Sequence, residues 1–460
     1  MGLGLAVVVG LTGSFWVGST SGALSFSDNA TDSVASDASW STGVARAPGT
    51  PVIPLRLTTC SVGDAGEDEA LGSFSGVVMD PTTGDVVWGR NQNAAVKPAS
   101  VLKIVTGAAA LATLGPDHQL TTEVKTSDDQ NTVVLVGGGD PTLSRLPPGS
   151  ATVYAGAPTL QELAQQTIAA LQQQSGDDDV VITRVVVDAS LWDVSDSYDP
   201  TWSRDARNNG FISSVTALQV DGDRQDPAVA LSRRGTDPVQ RAGEAFVQAL
   251  REAGNAGRFV SVTKGTASEN ATVIASVSSR PVSELVGYML KESDNTLAEA
   301  LARHVSLASG FSGGSDSLRE ALVGPLASLG LDSSTVLARD GSGLSAENSV
   351  TPLAIATLLS ELSLVPGNLT SLREGLPVAG VDGSLETRFS GQNEVAKGRV
   401  FAKTGSISGV RSLAGYIQAA DDYELVFAFF SEGDVGDNTR TALETLVVQV
   451  YSCGSNLADF

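Results

Sequence analysis

At 460 residues, with 42% apolar side chains, the chain is long enough for two or three domains and a sizeable core. A formal charge of −23, a pI near 4.4 and no local basic cluster exclude nucleic acid and anionic membrane surfaces as partners. Only two histidines, His118 and His304, and two cysteines are present, so no zinc site, other metal or cofactor is expected. The chemistry must rest on Ser, Lys, Asp or Glu.

Residues 1–27 carry no charge, and Gly2 to Val17 is almost wholly apolar, which reads as an export signal with a small-x-small site at Ser21-Gly22-Ala23. The basic start usual for such a signal is missing, which leaves two readings open: a start further upstream, or an uncleaved membrane anchor. Residues 28–54, rich in Ser, Thr, Asp, Ala, Pro and Gly, read as a disordered spacer.

Folded structure is expected from Leu55. Phe74 to Met79 and Asp85 to Trp88 flank Asp80-Pro81-Thr82-Thr83-Gly84, a hairpin signature leading to Pro98-Ala99-Ser100-Val101-Leu102-Lys103. Ser100 follows a proline suited to the first turn of a helix, and Val101, Leu102, Ile104, Val105, Ala108, Ala109 and Leu111 continue it as a buried helix. Ser100 and Lys103 then lie on one face a turn apart, so a deprotonated amine could take the serine's proton. The same spacing recurs at Ser261 and Lys264, but within an alternating strand-like run that points the two side chains to opposite faces.

Residues 120–275 alternate strand-like runs with one clear helix, Leu160 to Gln173, and read as an inserted, β-rich accessory region. Pro281 opens a helical stretch that Lys291-Glu292-Ser293-Asp294-Asn295 interrupts and Leu297, Leu301 and Val305 resume, placing Ser293 and Asn295 on a turn between helices. Lys403-Thr404-Gly405-Ser406 ends the strand that begins at Arg399. Ser412 to Gln418 and Tyr423 to Phe430 read as two further antiparallel strands before an amphipathic closing helix. In an exported protein with an even cysteine count, Cys60 and Cys453 are expected to pair, a disulfide that contributes roughly 5 kcal/mol at most.

Ser-x-x-Lys at a helix start, Ser-x-Asn between helices and Lys-Thr-Gly on a late strand, in that order, resemble the penicillin-recognising serine acyl-transferases. The closer resemblance is to the D-alanyl-D-alanine carboxypeptidases and endopeptidases of the class C low-molecular-mass penicillin-binding proteins. The long gap between Lys103 and Ser293 is similar to that class, in which extra domains follow the first motif. Gly138-Gly139-Asp140-Pro141-Thr142-Leu143, Asp340-Gly341-Ser342-Gly343-Leu344-Ser345 and Val381-Asp382-Gly383-Ser384-Leu385 share the family's look.

The resemblance implies an α/β (α+β) fold: a transpeptidase-like domain with an antiparallel sheet flanked by helices, made from residues 55–119 and 276–460, with 120–275 inserted. Ser100 would attack, and Lys103, its ammonium disfavoured by burial and by the second cation Lys403, would accept the proton. The backbone N–H groups of Ser100 and Ser406 would hold the oxyanion. By resemblance, Ser293 relays the proton to the leaving amine, Asn295 positions Lys103 and the substrate amide, and Lys403, Thr404, Gly405 and Ser406 bind the carboxylate. Trp202-Ser203-Arg204-Asp205 resembles a segment whose aspartate meets the free amine of the stem's diamino acid. Where close relatives place an arginine for that side chain's carboxylate, this chain has Ala346, so that group would be amidated, absent, or read by another residue such as Arg388. The expected partners are peptidoglycan stem peptides and β-lactam inhibitors, met outside the cytoplasm, in the cell wall or at the outer face of the membrane.

Two alternatives share the fold: a β-lactamase, for which no residue's spacing names the base of a deacylating water, and a non-hydrolytic β-lactam sensor. Gly310-Phe311-Ser312-Gly313-Gly314 fits a nucleophile-elbow pattern, but no strand precedes it and no histidine follows Ser312.

Overall fold

The computed structural model describes residues 59–458 apart from 365, 366 and 368, so the expected export signal and spacer lie outside the described residues. Strand β1 (Ser73–Met79) turns back into β2 (Val86–Arg90). Asp80 holds the turn by accepting the Thr82 N–H at 2.9 Å. Helix α1 (Lys103–Thr113) follows, preceded by a 3₁₀ turn over Ala99–Leu102. Ser100 therefore lies inside that tighter turn and does not open the α-helix itself. Ala99, at φ 47°, stops the helix from extending backwards through it.

The inserted region contains β3 (Thr121–Thr126), β4 (Thr132–Val136), α2 (Leu160–Ser175), β5 (Arg184–Asp188), α3 (Arg204–Asn208), α4 (Pro238–Glu252), β6 (Ser261–Lys264) and β7 (Val273–Ser278). Its sheet runs β6-β5-β4-β3-β7. The β4/β5 and β5/β6 pairs are parallel, joined through α2 and α4, so the region is more α/β than the β-rich reading allows. Helix α4 is an addition to the one helix expected in this region, and its signals are in the sequence: Asp237 caps it, Pro238 fills its first turn, and Val239, Ala242, Phe246 and Leu250 form a buried stripe. The region's last strand runs to Ser278, past the expected boundary at 275. Its two ends are tied where Leu120 and Ser279 bond, the Ser279 N–H donating to the Leu120 carbonyl at 2.9 Å and the Leu120 N–H to Ser279 Oγ at 2.9 Å.

Next come α5 (Val282–Glu292), α6 (Asn295–Ala308), α7 (Leu318–Val323), the short pair β8 (Val336–Leu337) and β9 (Ser349–Val350), α8 (Pro352–Leu364) and α9 (Thr370–Glu374). The chain closes with β10 (Val400–Ile407), β11 (Val410–Gln418), β12 (Glu424–Glu432) and α10 (Asp437–Cys453). The main sheet, order β10-β11-β12-β1-β2, unites both ends of the chain, β1 pairing antiparallel with β12. Both of its faces are buried. Along β12, Val426, Ala428 and Phe430 point into the core shared with α1, α5, α6 and α8, while Leu425, Phe427 and Phe429 pack against α10. This explains the near-continuous apolar run of that strand. Among the described residues no helix is long and apolar enough to cross a membrane.

Cys60 and Cys453 form a disulfide with Cα atoms 5.4 Å apart, linking the entry of the fold to the end of α10. Thiol titration of the oxidised, denatured protein should therefore find no free cysteine, and Cys60→Ser should lower unfolding stability by up to about 5 kcal/mol. Two titratable thiols, or unchanged stability, would contradict this.

Candidate active site

Three chain segments meet at Lys103. Its residue is wholly buried at the start of α1, and its Nζ lies 3.1 Å from Ser100 Oγ, 2.6 Å from Asn295 Oδ1 and 2.6 Å from the Ser342 carbonyl. Burial brings its amine down to about 8, against the opposing pull of Asp340, Asp294 and Glu299. At that value the neutral amine is accessible near neutral pH. A neutral amine has two N–H donors, and the Asn295 and Ser342 oxygens occupy both. Its lone pair is left facing the Ser100 hydroxyl, the geometry a proton acceptor needs.

Lys403, in β10, is equally buried. Its Nζ contacts Ser293 Oγ and the Thr404 carbonyl, each at 3.0 Å. Burial and the neighbouring Lys103 push it well below the ordinary lysine value. Burial is the first cause of the lowering at both amines, and the repulsion between Lys103 and Lys403 disfavours charge on the pair. Thr404, Gly405 and Ser406 continue β10 along a cleft. Ser384 Oγ lies 2.7 Å from Thr404 Oγ1, and Ser412 Oγ donates to the Pro98 carbonyl at 2.7 Å, tying β11 to the turn that carries Ser100.

The turn between α5 and α6 carries Ser293 in the left-handed region, at φ 58°, and the inserted region holds this turn in place. Asp294 Oδ1 caps α6 by accepting the Leu297 N–H at 3.0 Å, while Oδ2 accepts from Tyr154 Oη at 2.8 Å and Arg224 Nη2 at 2.7 Å. Burial alone would raise this carboxyl, but Arg224 and Arg234 overcome it and hold Asp294 well below the carboxylate range. Asn295 Nδ2 donates to the Phe211 carbonyl at 3.0 Å, which fixes the amide so that its oxygen faces Lys103.

The Asp340–Ser345 loop, singled out in the sequence without an assigned role, is the third wall. Asp340 accepts the N–H groups of Gly343 and Ser345, both at 2.7 Å, and Trp202 Nε1 at 2.7 Å. Trp202 is thus buried against this loop, and its indole N–H is occupied there. Asp205, on α3, is exposed. Glu299 accepts the N–H groups of Gly341 at 2.9 Å and Ser342 at 2.8 Å, and burial followed by Asp340 raises its carboxyl to about 8. Gly343 has φ 81° and comes so close to Ala99 that a Cβ there would stand 1.8 Å from the Ala99 carbonyl oxygen. Arg388 is tied through Nε to Glu444 at 2.5 Å. Ser261 and Lys264 lie far from this site in sequence, in β6 of the inserted region.

The sequence matches the D-Ala-D-Ala carboxypeptidase 3 (S13) family over residues 59–235 and 218–451. It is 36% identical over 392 residues to Carboxypeptidase DacB of Mycolicibacterium smegmatis, covering 84% of this chain and 81% of that one. It is 33% identical over 421 residues to a carboxypeptidase of Mycobacterium tuberculosis, covering 88% and 87% respectively. The fold is similar to penicillin binding protein 4 of Haemophilus influenzae, with a TM-score of 0.69 at 21% identity over 85% of this chain and 99% of that one.

Because only a residue without a side chain fits beside Ala99, Gly343→Ala should shift the Ser100 turn and slow reaction of Ser100 with an acyl donor by about a hundredfold or more, while the protein still folds. A variant that reacts at the wild-type rate would show that this contact does not set the position of the serine.

Proposed function

The chain belongs to the D-Ala-D-Ala carboxypeptidase (S13) family of serine peptidases, and from that premise we propose that Ser100 is the nucleophile with which it cleaves peptidoglycan stem peptides after D-alanine. The observation that carries this reading is the Lys103 amine, buried and 3.1 Å from Ser100 Oγ, with both its N–H groups engaged elsewhere. Lys103 takes the hydroxyl proton as Ser100 attacks the carbonyl carbon of the penultimate D-alanine. The backbone N–H groups of Ser100 and Ser406 receive the oxyanion. Collapse of the tetrahedral adduct expels the leaving amine, which gains a proton through Ser293, itself 3.0 Å from Lys403 Nζ. Water then hydrolyses the acyl-enzyme. Released D-alanine makes the reaction a carboxypeptidase step. A released neighbouring stem makes it an endopeptidase step.

In this reading Asn295 positions Lys103 and the substrate amide, and Lys403, Thr404, Gly405 and Ser406 bind the substrate carboxylate. A β-lactam enters as a mimic of the peptide and acylates Ser100. The two ends of the chain make up the catalytic unit, expected as 55–119 and 276–460, and the accessory unit lies between them, its last strand β7 carrying it on from 275 to Ser278. Peptidoglycan lies outside the cytoplasmic membrane, so the enzyme acts there, in the wall or at the membrane's outer face, delivered or anchored by residues 1–27. Asp205 faces solvent on a segment moored at both ends to the site, by Trp202 to Asp340 and by the Phe211 carbonyl to Asn295. This suits it to meet the ammonium of a stem's diamino acid. Arg388 is already neutralised by Glu444, so the other half of such a clamp is left without a residue, and stems with an amidated or missing side-chain carboxylate fit best.

A labelled penicillin should acylate the wild-type protein at Ser100, and Ser100→Ala should abolish both labelling and D-alanine release. Lys103→Ala should slow acylation by about a hundred- to ten-thousandfold. Labelling that survives in Ser100→Ala would refute the mechanism, and rapid turnover of penicillin without cleavage of the peptide would instead make the protein a β-lactamase. Acetylating the side-chain amine of the stem should lower kcat/KM by about tenfold in the wild type and leave Asp205→Ala indifferent to the change; equal rates on both peptides in the wild type would leave Asp205 without this role.

A further inference from the structure

The Ser342 carbonyl that holds the Lys103 amine at 2.6 Å is itself held. All four backbone polar groups of Gly341 and Ser342 are engaged. Both N–H groups donate to Glu299 Oε1, at 2.9 and 2.8 Å, and the Gly341 carbonyl accepts Thr106 Oγ1 at 2.6 Å. Gly341 is pressed so close to α6 that a Cβ there would stand 2.5 Å from Ala302 Cβ. With three of the four groups fixed by side chains of α6 and α1, the direction of the Ser342 carbonyl is set, and it points at Lys103.

Glu299 and Asn295 stand one turn apart on the same face of α6. Asn295 gives Lys103 one of its two acceptors, at 2.6 Å, and Glu299 fixes the backbone that gives it the other. Glu299 is only 1% exposed, and both N–H groups converge on one of its oxygens, which leaves Oε2 to carry the proton of a neutral acid. Burial and then Asp340 raise this carboxyl to about 8, with Arg303 on its own helix opposing them. An ionised Glu299 would pull Lys103 on α1 towards its ammonium, and a neutral one spares it that pull. We infer that Glu299 is a positioning residue for acylation, which through the Gly341–Ser342 backbone aims the Lys103 lone pair at the Ser100 hydroxyl. This rests on the hydrolase reading above and deepens it.

The test follows acylation of Ser100 by a penicillin in single turnovers, separating noncovalent binding from bond formation, with thermal unfolding as a check on the fold. Limiting rates are compared above the Lys103 value of about 8. Glu299→Ala removes the acceptor, so the acylation constant should fall by about ten- to a hundredfold while the binding constant stays the same. Glu299→Gln keeps an oxygen at the same reach and puts an amide donor where the acid proton stood. It should stay within about threefold of the wild type. If Glu299→Ala does not fold, Glu299→Asp, one methylene shorter, takes its place and should show the same loss. A wild-type rate in the truncated variant, an equal loss in Glu299→Gln, or a loss confined to binding would overturn this inference and leave the hydrolase reading standing. A wild-type protein that penicillin does not acylate at Ser100 would overturn both.

Discussion

A lysine ammonium cannot be taken out of water without strong compensation, and Lys103 has no exposed surface at all. Much of the surrounding structure follows from that. Three oxygens converge on the one nitrogen: the Ser100 hydroxyl from its own turn, which faces the lone pair, and two acceptors, an asparagine from the start of α6 and a backbone carbonyl from the Asp340–Ser345 loop. Among the described residues no carboxylate forms an ion pair with it, and the pull of Asp340, Asp294 and Glu299 towards the charged form is outweighed by burial. Lys103 also begins α1, where the helix dipole is positive and further disfavours an ammonium. The sequence places the base where its charge is least supported and its lone pair is best aimed.

The second amine extends the same logic. Two ammonium groups this close would repel, so burial and mutual repulsion drive Lys403 towards neutrality. Its 3.0 Å contact with Ser293 Oγ joins it to the turn between α5 and α6. The acidic groups nearby are held at a distance by their own partners. Asp340 is engaged by backbone N–H groups and Trp202, Asp294 by Arg224 and Tyr154, and Glu299, raised by burial, by two backbone N–H groups. The inserted region supplies Tyr154, Trp202, Phe211 and Arg224 to this arrangement. It is therefore part of the site's scaffold, and an Arg224 removed from beside Asp294 would leave a buried carboxylate uncompensated.

Local motifs made much of this legible in the sequence. Serine and lysine three apart before an apolar helix, the polar break at 291–295, and the hairpins at each end all announce themselves through spacing and turn chemistry. The disulfide followed from cysteine count and export. What could not be read were groups that any residue can supply. The Ser342 and Phe211 carbonyls reach Lys103 and Asn295 from far along the chain, and no side-chain pattern marks a backbone oxygen. The Arg224–Asp294 pair joins residues 70 apart in sequence. Trp202 was legible as part of a motif but not as a residue buried against Asp340.

The proposed proton acceptor for Ser100 is the buried, neutral amine of Lys103. Burial lowers Lys103 from the ordinary lysine value of 10.5 to about 8, so the active neutral form is lost as pH falls below that point. The most direct measurement is the second-order rate of Ser100 acylation by a penicillin across the range of pH in which the fold is stable. With Lys103 as the base, the rate should rise about tenfold per pH unit below about 8 and level above it. A rate that is flat across that region, or that keeps rising towards the value of an ordinary lysine, would contradict it.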